Sequence, residues 1–301
     1  MEKRSILHLL DPMPHASPFD INMAVDAGFD AVFPYDNVLL EQVPGLIQDA
    51  IFSRGPAGVK RTGVFIGGRD IGVALNMLDA ARKAMVPPFE VSVLADPSGA
   101  FTTAAALVAL VEKKLKDCHD QTLAGQRAMV FGGTGPVGVA TGVIASLAGA
   151  EVTLVDPFNI ATALDKAGEY NQRCGSSLKG TFAGSDADKA RLISHADIVF
   201  CTAKAGVEVL NSSVLADAHQ LKVAGDVNAV PPLGIEGIKL KHCGDPLVHA
   251  VGSPSAVGIG ALAIGNVKYQ LQNRMLSLLL QTEKPVFLDF RDAFENARQL
   301  V

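Results

Sequence analysis

The chain has 301 residues, a formal net charge of −5 and a hydrophobic fraction of 49%. At roughly 150 residues per domain this length indicates about two domains, and no stretch approaches the ~20 apolar residues that span a bilayer. The basic residues form no patch, so we expect neither nucleic acid nor a membrane as a partner. The cysteines form no Cys-x-x-Cys pair, which argues against a metal site. An apolar run near the start ends at Asp11, too early for a signal peptide, and we expect a cytoplasmic protein.

The first part of the chain alternates short apolar runs with helical stretches. The predicted strands are residues 5–10, 31–33, 63–66 and 89–94, and the predicted helices are 19–27, 70–85 and 102–115. In the stretch 70–85, apolar residues recur in steps of three and four, which marks one buried helix face. Alternation of this kind is typical of parallel strands joined by crossover helices.

A second β/α series follows the polar stretch 114–126, where we place the domain junction. Its predicted strands are 128–131, 151–155, 198–201 and 223–225, and a glycine-rich connector at 253–265 leads to helices at 267–280 and 289–300. The sequence therefore predicts an α/β fold with two domains and a cleft between them. Residues 1–115 form the N-terminal α/β substrate domain, residues 116–269 form a Rossmann-type dinucleotide-binding domain, and 270–301 packs on the first domain.

A glycine-rich turn lies between the predicted strand at 128–131 and the helix that follows it. The pattern Gly133-x-Gly135-x-x-Gly138 has meaning in this strand-to-helix context. The first glycine permits a tight turn, the second lets the backbone approach a pyrophosphate, and the third lets the helix pack closely. The helix N-terminus then faces the anion. The predicted cofactor-binding residues of this turn are Gly133, Thr134, Gly135, Pro136, Val137 and Gly138.

Asp156 ends the next predicted strand, 18 residues after Gly138. This is close to the ~20 residues expected for the acid that binds the adenosine ribose hydroxyls. A carboxylate there would repel a 2′-phosphate, which favours NAD over NADP; the alternative is an ordinary loop residue. Ala203, Asp226 and Asn228 follow two later strands, at the sheet edge where ligands of such folds bind. Asn228 is a candidate partner for the nicotinamide amide, whereas Asp226 could instead satisfy backbone donors.

Several stretches beyond the glycine turn carry a family resemblance. They are SPFD (17–20), DAG (26–28), IFSR (51–54), FIGG (65–68), DPSGAFTT (96–103), FGGTG (131–135), DVNAVPPLG (226–234) and GIGALAIGNVK (258–268). Together they resemble the NAD(P)-dependent methylene-tetrahydromethanopterin dehydrogenases of methylotrophic bacteria, over nearly the whole chain. The likeness is strongest to the type that accepts NAD as well as NADP.

The resemblance implies a hydride transfer from methylene-tetrahydromethanopterin to NAD(P), giving the methenyl form, in formaldehyde oxidation. It also implies a fold similar to that of the methylene-tetrahydrofolate dehydrogenases, and a homo-oligomer. The carbon that loses hydride lies between two nitrogens that delocalise the cation, so no general base is obligatory. Such a site must align the reacting carbons, exclude water and tolerate positive charge.

The candidate substrate-binding residues are Phe19, Asp20, Ser98, Thr102 and Lys268. Phe19 and Asp20 could pack the pterin and stabilise the cation; alternatively they belong to the core and to a helix N-terminus. By the resemblance, Lys268 matches the lysine beside the pterin, and we take Lys268 and Asp20 as the candidate catalytic residues. Otherwise Lys268 is an exposed lysine at a helix start. Ser98, Thr102 or Thr103 could instead cap the helix that follows them.

Three other functions compete with this interpretation. A methylene-tetrahydrofolate dehydrogenase is the nearest, without cyclohydrolase activity because no tyrosine is followed by lysine four residues on. An amino-acid or shikimate-type dehydrogenase would need a lysine–aspartate acid–base set in the first domain, and no partner for Lys60 is evident. A non-catalytic dinucleotide sensor is disfavoured by the polar groups that follow several strands.

Overall fold

The computed structural model describes residues 3–301. The chain divides into two compact units, one of residues up to Thr102 together with Tyr269–Asn296, the other of Thr103–Lys268 with Ala297–Val301. Each unit contains one β-sheet, so the predicted two-domain α/β fold is confirmed. Within residues 3–301, no helix combines the length and the hydropathy needed to cross a bilayer.

The N-terminal unit is built on a five-stranded parallel sheet. Its strands are β1 (Ile6–Leu10), β2 (Ala31–Tyr35), β3 (Thr62–Ile66), β4 (Ser92–Ala95) and β12 (Phe287–Leu288). Its helices are α1 (Pro18–Asp26), α2 (Val43–Phe52), α3 (Gly55–Val59) and α4 (Ile71–Lys83). The strand order is β12-β4-β3-β1-β2, so all five carboxyl ends lie at one edge.

The helix α4 shows why this part of the sequence folds as predicted. Asp70 caps its start by accepting a hydrogen bond from the Val73 backbone N–H at 2.9 Å. Its predicted apolar face is buried, with Leu75 and Leu78 among the core residues. Because β3 and β4 are buried along their whole length, their apolar runs do not alternate with polar residues.

The second unit contains a seven-stranded sheet. Its strands are β5 (Arg127–Phe131), β6 (Glu151–Asp156), β7 (Lys179–Phe182), β8 (Ile198–Cys201), β9 (Val223–Asp226), β10 (Cys243–Pro246) and β11 (Val257–Ile259). Its helices include α6 (Pro136–Leu147), α7 (Ile160–Cys174), α8 (Asp186–Ile193) and α9 (Ser212–Leu215). The order β7-β6-β5-β8-β9-β11 is the 3-2-1-4-5-6 order of dinucleotide-binding folds, with β10 added antiparallel at the edge.

Two long helices correct the predicted boundaries. Helix α5 (Ala100–His119) continues into the polar stretch in which we predict the domain junction, because the first part of that stretch is a largely exposed helix end rather than a linker. The predicted connector at 253–265 contains β11 and the start of α10 (Ala261–Gln281). Lys268 therefore lies inside α10, partly buried, and not at a helix start. The last helix, α11 (Phe290–Arg298), lies where it was predicted.

Candidate active site

The glycine turn joins β5 to α6 with almost no space for side chains. Gly132 has a φ of +71°, and a Cβ there would lie 2.6 Å from the Ala203 backbone. A Cβ at Gly133 would lie 2.6 Å from the Val130 carbonyl oxygen, and one at Gly138 2.3 Å from the Gly132 oxygen. These three positions need glycine because the backbone segments around the turn approach each other too closely there to leave space for a side chain.

Gly135 differs from the other glycines of the turn. A Cβ at this position would meet nothing closer than 3.5 Å. Gly135 is the N-cap of α6, and Pro136 follows in the first turn, so Val137 and Gly138 contribute backbone N–H groups at the helix N-terminus. Open space beside unpartnered N–H groups fits an incoming pyrophosphate.

Asp156 lies at the carboxyl end of β6, next to this turn. Its Oδ2 accepts a hydrogen bond from the Thr134 hydroxyl at 2.7 Å, and its Oδ1 accepts from the Phe158 and Asn159 N–H groups, both at 2.8 Å. Burial alone would raise the pKa of Asp156, but these hydrogen bonds together hold it below its ordinary value. The carboxylate is therefore ionised near neutral pH, and it shapes its own loop while it faces the cofactor site.

A cavity of about 560 Å³ opens beside the turn, within the second unit. Its walls include four residues of the predicted set, Thr134, Gly135, Asp156 and Ala203. Other lining residues include Gly132, Phe158, Ala183, Lys189, Thr202, Lys204, Val207, Glu208 and Val209. Mostly apolar walls with a few charged groups are typical of a nucleotide pocket.

The loops after β8 and β9 are held together by Asn228 and Asp226. The Asn228 side chain accepts from the Gly206 N–H at 3.2 Å and donates to the Pro232 carbonyl oxygen at 2.9 Å, and the residue is 3% exposed. Asp226 accepts from the backbone N–H groups of Asn228 and Ile235, as the second of its two predicted roles requires. Both side chains are therefore buried and hold the backbone of these loops in place.

Cys201 is the buried neighbour of Asp226. Burial raises the pKa of the Asp226 carboxyl although several backbone N–H groups donate to it. Burial, and then the charge of Asp226, raises the pKa of the Cys201 thiol well above its ordinary value. The thiol therefore stays protonated and unreactive.

On the N-terminal unit, Phe19 and Asp20 lie in the first turn of α1. Phe19 is 47% exposed, so its ring is not a core residue. Asp20 is 4% exposed, and its Oδ1 accepts a hydrogen bond from the Gln272 side-chain amide at 2.8 Å. Gln272 lies on α10 one turn after Lys268, so both residues lie on the same face of that helix. No local sequence pattern indicates Gln272, because only the tertiary fold brings it to Asp20.

The DPSG segment folds differently from the capping arrangement that we predicted. The cap of α5 is Asp96, which accepts from the N–H groups of Phe101 and Thr102 and from the Thr102 hydroxyl at 2.6 Å. Thr102 is fully buried, so its hydroxyl serves this cap rather than the protein surface. Ser98 remains exposed, has a φ of +52° and donates to the Gly68 carbonyl oxygen at 2.8 Å. Of these two predicted substrate-binding residues, only Ser98 is exposed.

The fold and the glycine turn define a dinucleotide-binding dehydrogenase of two domains. The structure of 5-ketofructose reductase from Gluconobacter sp. strain CHM43 has a similar fold, with a TM-score of 0.54 at 15% identity over 99% of each chain. Shikimate 5-dehydrogenase from Listeria monocytogenes, solved with shikimate and NAD, gives a TM-score of 0.53 at 14% identity, over 99% of this chain and 96% of that one. These likenesses concern the fold alone.

Sequence relatives identify the family. Residues 18–98 match the family described as methylene-tetrahydromethanopterin dehydrogenase, N-terminal. The chain is 45% identical to the NAD(P)-dependent methylenetetrahydromethanopterin dehydrogenase of Methylorubrum extorquens AM1, over 99% of both chains. It is 30% identical to the Bifunctional protein MdtA of the same organism, again over 99% of both. The chain belongs to the methylene-tetrahydromethanopterin dehydrogenase family. It is an NAD(P)-dependent oxidoreductase, and the resemblance drawn from its motifs is confirmed.

Proposed function

We propose that this protein transfers a hydride from the methylene bridge of a tetrahydromethanopterin derivative to NAD(P), giving the methenyl form. The observation that carries the proposal is the 45% identity over 99% of the chain to a dehydrogenase named for this substrate. The reaction belongs to the oxidation of one-carbon units at the formaldehyde level. The proposed cofactor domain corresponds to the unit of Thr103–Lys268 with Ala297–Val301, and the proposed substrate domain to the unit up to Thr102 with Tyr269–Asn296. The family match at 18–98 lies in the proposed substrate domain and supports that assignment.

The cofactor half of the proposal uses the glycine turn and Asp156. Backbone N–H groups at the start of α6 bind the pyrophosphate, where the helix dipole favours an anion. The ionised Asp156 accepts a hydrogen bond from an adenosine ribose hydroxyl, since its three internal bonds leave part of its acceptor capacity free. The absence of a side chain at Gly132 lets the Ala203 backbone, in the loop after β8, approach the turn closely. Asn228 holds that loop by accepting a hydrogen bond from the Gly206 N–H, and Asp226 in turn accepts from the Asn228 N–H.

The substrate half of the proposal uses α1 and α10. The exposed Phe19 ring offers a flat apolar surface to a pterin, and Ser98 offers a hydroxyl. The Asp20 carboxylate, held by Gln272, stabilises the positive charge that develops as the methylene carbon gives up its hydride. Lys268 orients the substrate or a carboxylate, because a cation cannot itself favour a developing cation. No residue has to accept a proton in this step.

One assay tests the whole proposal. The purified protein is mixed with methylene-tetrahydromethanopterin and either NAD or NADP, and formation of the methenyl product is followed by absorbance. We expect turnover with the methanopterin substrate. Turnover with methylene-tetrahydrofolate alone would overturn the substrate assignment and favour the alternative, a methylene-tetrahydrofolate dehydrogenase without cyclohydrolase activity.

That the protein is homo-oligomeric and cytoplasmic stays a prediction. The family resemblance motivates the first part, and the exposed apolar residues Phe33 and Phe52 of the N-terminal unit are compatible with it. Light scattering coupled to size-exclusion chromatography measures the mass in solution. A monomer at micromolar concentration would contradict the expectation.

A further inference from the structure

Lys189 lines the nucleotide cavity, and the dinucleotide motif does not explain its presence there. It lies on α8 and lines the same cavity as Asp156 and Phe158. Its side chain is only 18% exposed, which is low for a lysine. The cavity wall thus contains a lysine as well as the acid expected to bind the adenosine ribose.

The topology explains why Lys189 borders the ribose end of this cavity. Strand β7 pairs with β6 in parallel, and Asp156 stands in register with Phe182 at the ends of both strands. The Ala183 N–H then donates to the Asp156 carbonyl oxygen at 3.1 Å, so the segment leading to α8 starts beside Asp156. Ser185 caps α8 four residues before Lys189, and the lysine lies in the first turns of that helix.

The present partner of Lys189 leaves its ammonium available. Its Nζ lies 2.9 Å from Asp186 Oδ1, but the Asp186 side chain is 53% exposed, so solvent weakens the pair. Asp186 also accepts a hydrogen bond from the Asn211 side-chain amide at 2.8 Å, which would keep the carboxylate in place if the lysine moved. An exchange of partners by Lys189 therefore costs little.

We propose that Lys189 binds the 2′-phosphate of NADP and is the residue that lets this site accept NADP as well as NAD. Asp156 accepts a ribose hydroxyl of NAD but repels a phosphate, whose charge is about −1.5 to −2 at neutral pH. Lys189 offsets that repulsion as a mobile point charge. The inference rests on the proposed placement of the adenosine ribose in this cavity.

Adenosine 2′,5′-bisphosphate and 5′-AMP test this inference, because they differ by the 2′-phosphate and need neither the pterin nor hydride transfer. Calorimetry measures their dissociation constants for the wild-type protein and for Lys189→Gln. We expect the variant to bind the bisphosphate about tenfold more weakly and 5′-AMP with unchanged affinity. Lys179→Gln is the matched control: it removes the same charge from β7 and from one exposed ion pair with Glu151.

A second variant moves the affinity in the opposite direction. Asp186→Asn keeps the acceptor for Asn211, releases Lys189 and removes a negative charge. We therefore expect the affinity for the bisphosphate to rise about threefold relative to the affinity for 5′-AMP. Equal changes for both ligands in Lys189→Gln and Asp186→Asn would overturn the role of Lys189. If the wild-type protein binds 5′-AMP, but its preference for the bisphosphate over 5′-AMP does not depend on Lys189, only this inference is overturned. Binding of neither ligand by the wild-type protein would also overturn the proposed cofactor site.

Discussion

Asp156 holds its own loop and also lines the cavity proposed for the cofactor. Three hydrogen bonds from Thr134, Phe158 and Asn159 fix its carboxylate at the end of β6, and they also close the loop that begins there. The same residue forms part of the cavity wall. Its loop contacts are observed, whereas its hydrogen bond to the adenosine ribose stays a prediction.

Two substitutions of Asp156 distinguish the effect of its charge from the effect of its loop contacts. Asp156→Asn keeps an acceptor for the loop N–H groups but removes the charge, so we expect kcat/KM for NADP relative to NAD to rise about tenfold or more. Asp156→Ala should add a loss of thermal stability, because the Phe158 and Asn159 N–H groups lose the acceptor that closes their loop. Steady-state kinetics with both cofactors and thermal melts measure these effects. A fall of the NADP/NAD ratio in Asp156→Asn would contradict the role.

Asp20 is the second residue whose charge matters. We expect Asp20→Asn to lower kcat about 10²- to 10³-fold, because the amide cannot stabilise a developing cation, with the KM for NAD unchanged. Asp26→Asn, at the exposed end of the same helix, is the matched control. Rapid-mixing measurements of methenyl formation give the rate of the chemical step. Equal rates for the two variants would remove Asp20 from the reaction.

At the scale of the elements, the strand–turn–helix unit β5–α6 sets the geometry of the cofactor site. Its glycines are of two kinds, since Gly133 and Gly138 touch protein backbone while Gly135 faces open space. The sequence motif treats all three alike. The structure separates glycines needed for folding from the glycine left for the ligand.

This difference predicts opposite outcomes for two alanine substitutions. Gly138→Ala places a methyl group 2.3 Å from the Gly132 oxygen, so we expect a large loss of stability. Gly135→Ala should fold with nearly unchanged stability but bind NAD at least about tenfold more weakly, because the methyl group occupies the approach of the pyrophosphate. Thermal melts and NAD titrations distinguish the two. An unstable Gly135→Ala protein with normal NAD affinity would refute the distinction.

A second link between elements lies at the amino ends of the same sheet. Asp197, just before β8, accepts from the Arg127 backbone and guanidinium, both at 3.0 Å, and from Lys222 at 3.1 Å. Burial would raise the pKa of Asp197, but the bonds from Arg127 and Lys222 hold it below its ordinary value of 3.8. The three residues connect the starts of β5, β8 and β9.

The sign of this shift predicts how stability depends on pH. A carboxyl whose folded pKa is depressed stabilises the fold above its unfolded pKa, and that contribution is lost as pH falls through the folded value. We expect Asp197→Asn to be less stable than the wild type at pH 7 by about 1–3 kcal/mol, and the difference to shrink below pH 3.8. Urea unfolding at pH 7, 5 and 3 checks this. A difference that is constant with pH would exclude the carboxylate as its source.

At the scale of the whole molecule, local patterns predicted more than distant contacts did. The glycine turn, Asp156 after its strand and four of the seven strands of the second sheet follow from spacing and alternation, which act over short stretches of chain. The strands β7, β10 and β11 were not predicted. The bond between Gln272 and Asp20 joins residues 252 apart, and no local signal reports it. Asp96 was missed as the cap of α5 because a 3-10 turn at Pro97–Gly99, with Ser98 at positive φ, separates it from the helix.

The return of the C-terminal segment to the N-terminal unit has a consequence for synthesis. Strand β12 completes the first sheet beside β4, and Phe290 meets Phe101 edge-on at 5.5 Å. Residues Thr103–Lys268 of the second unit are therefore synthesised between the two parts of the first unit. Until β12 has been synthesised, β4 lacks its second neighbouring strand, although it is buried along its length in the folded protein. The first sheet can therefore be completed only after every strand of the second sheet has been synthesised.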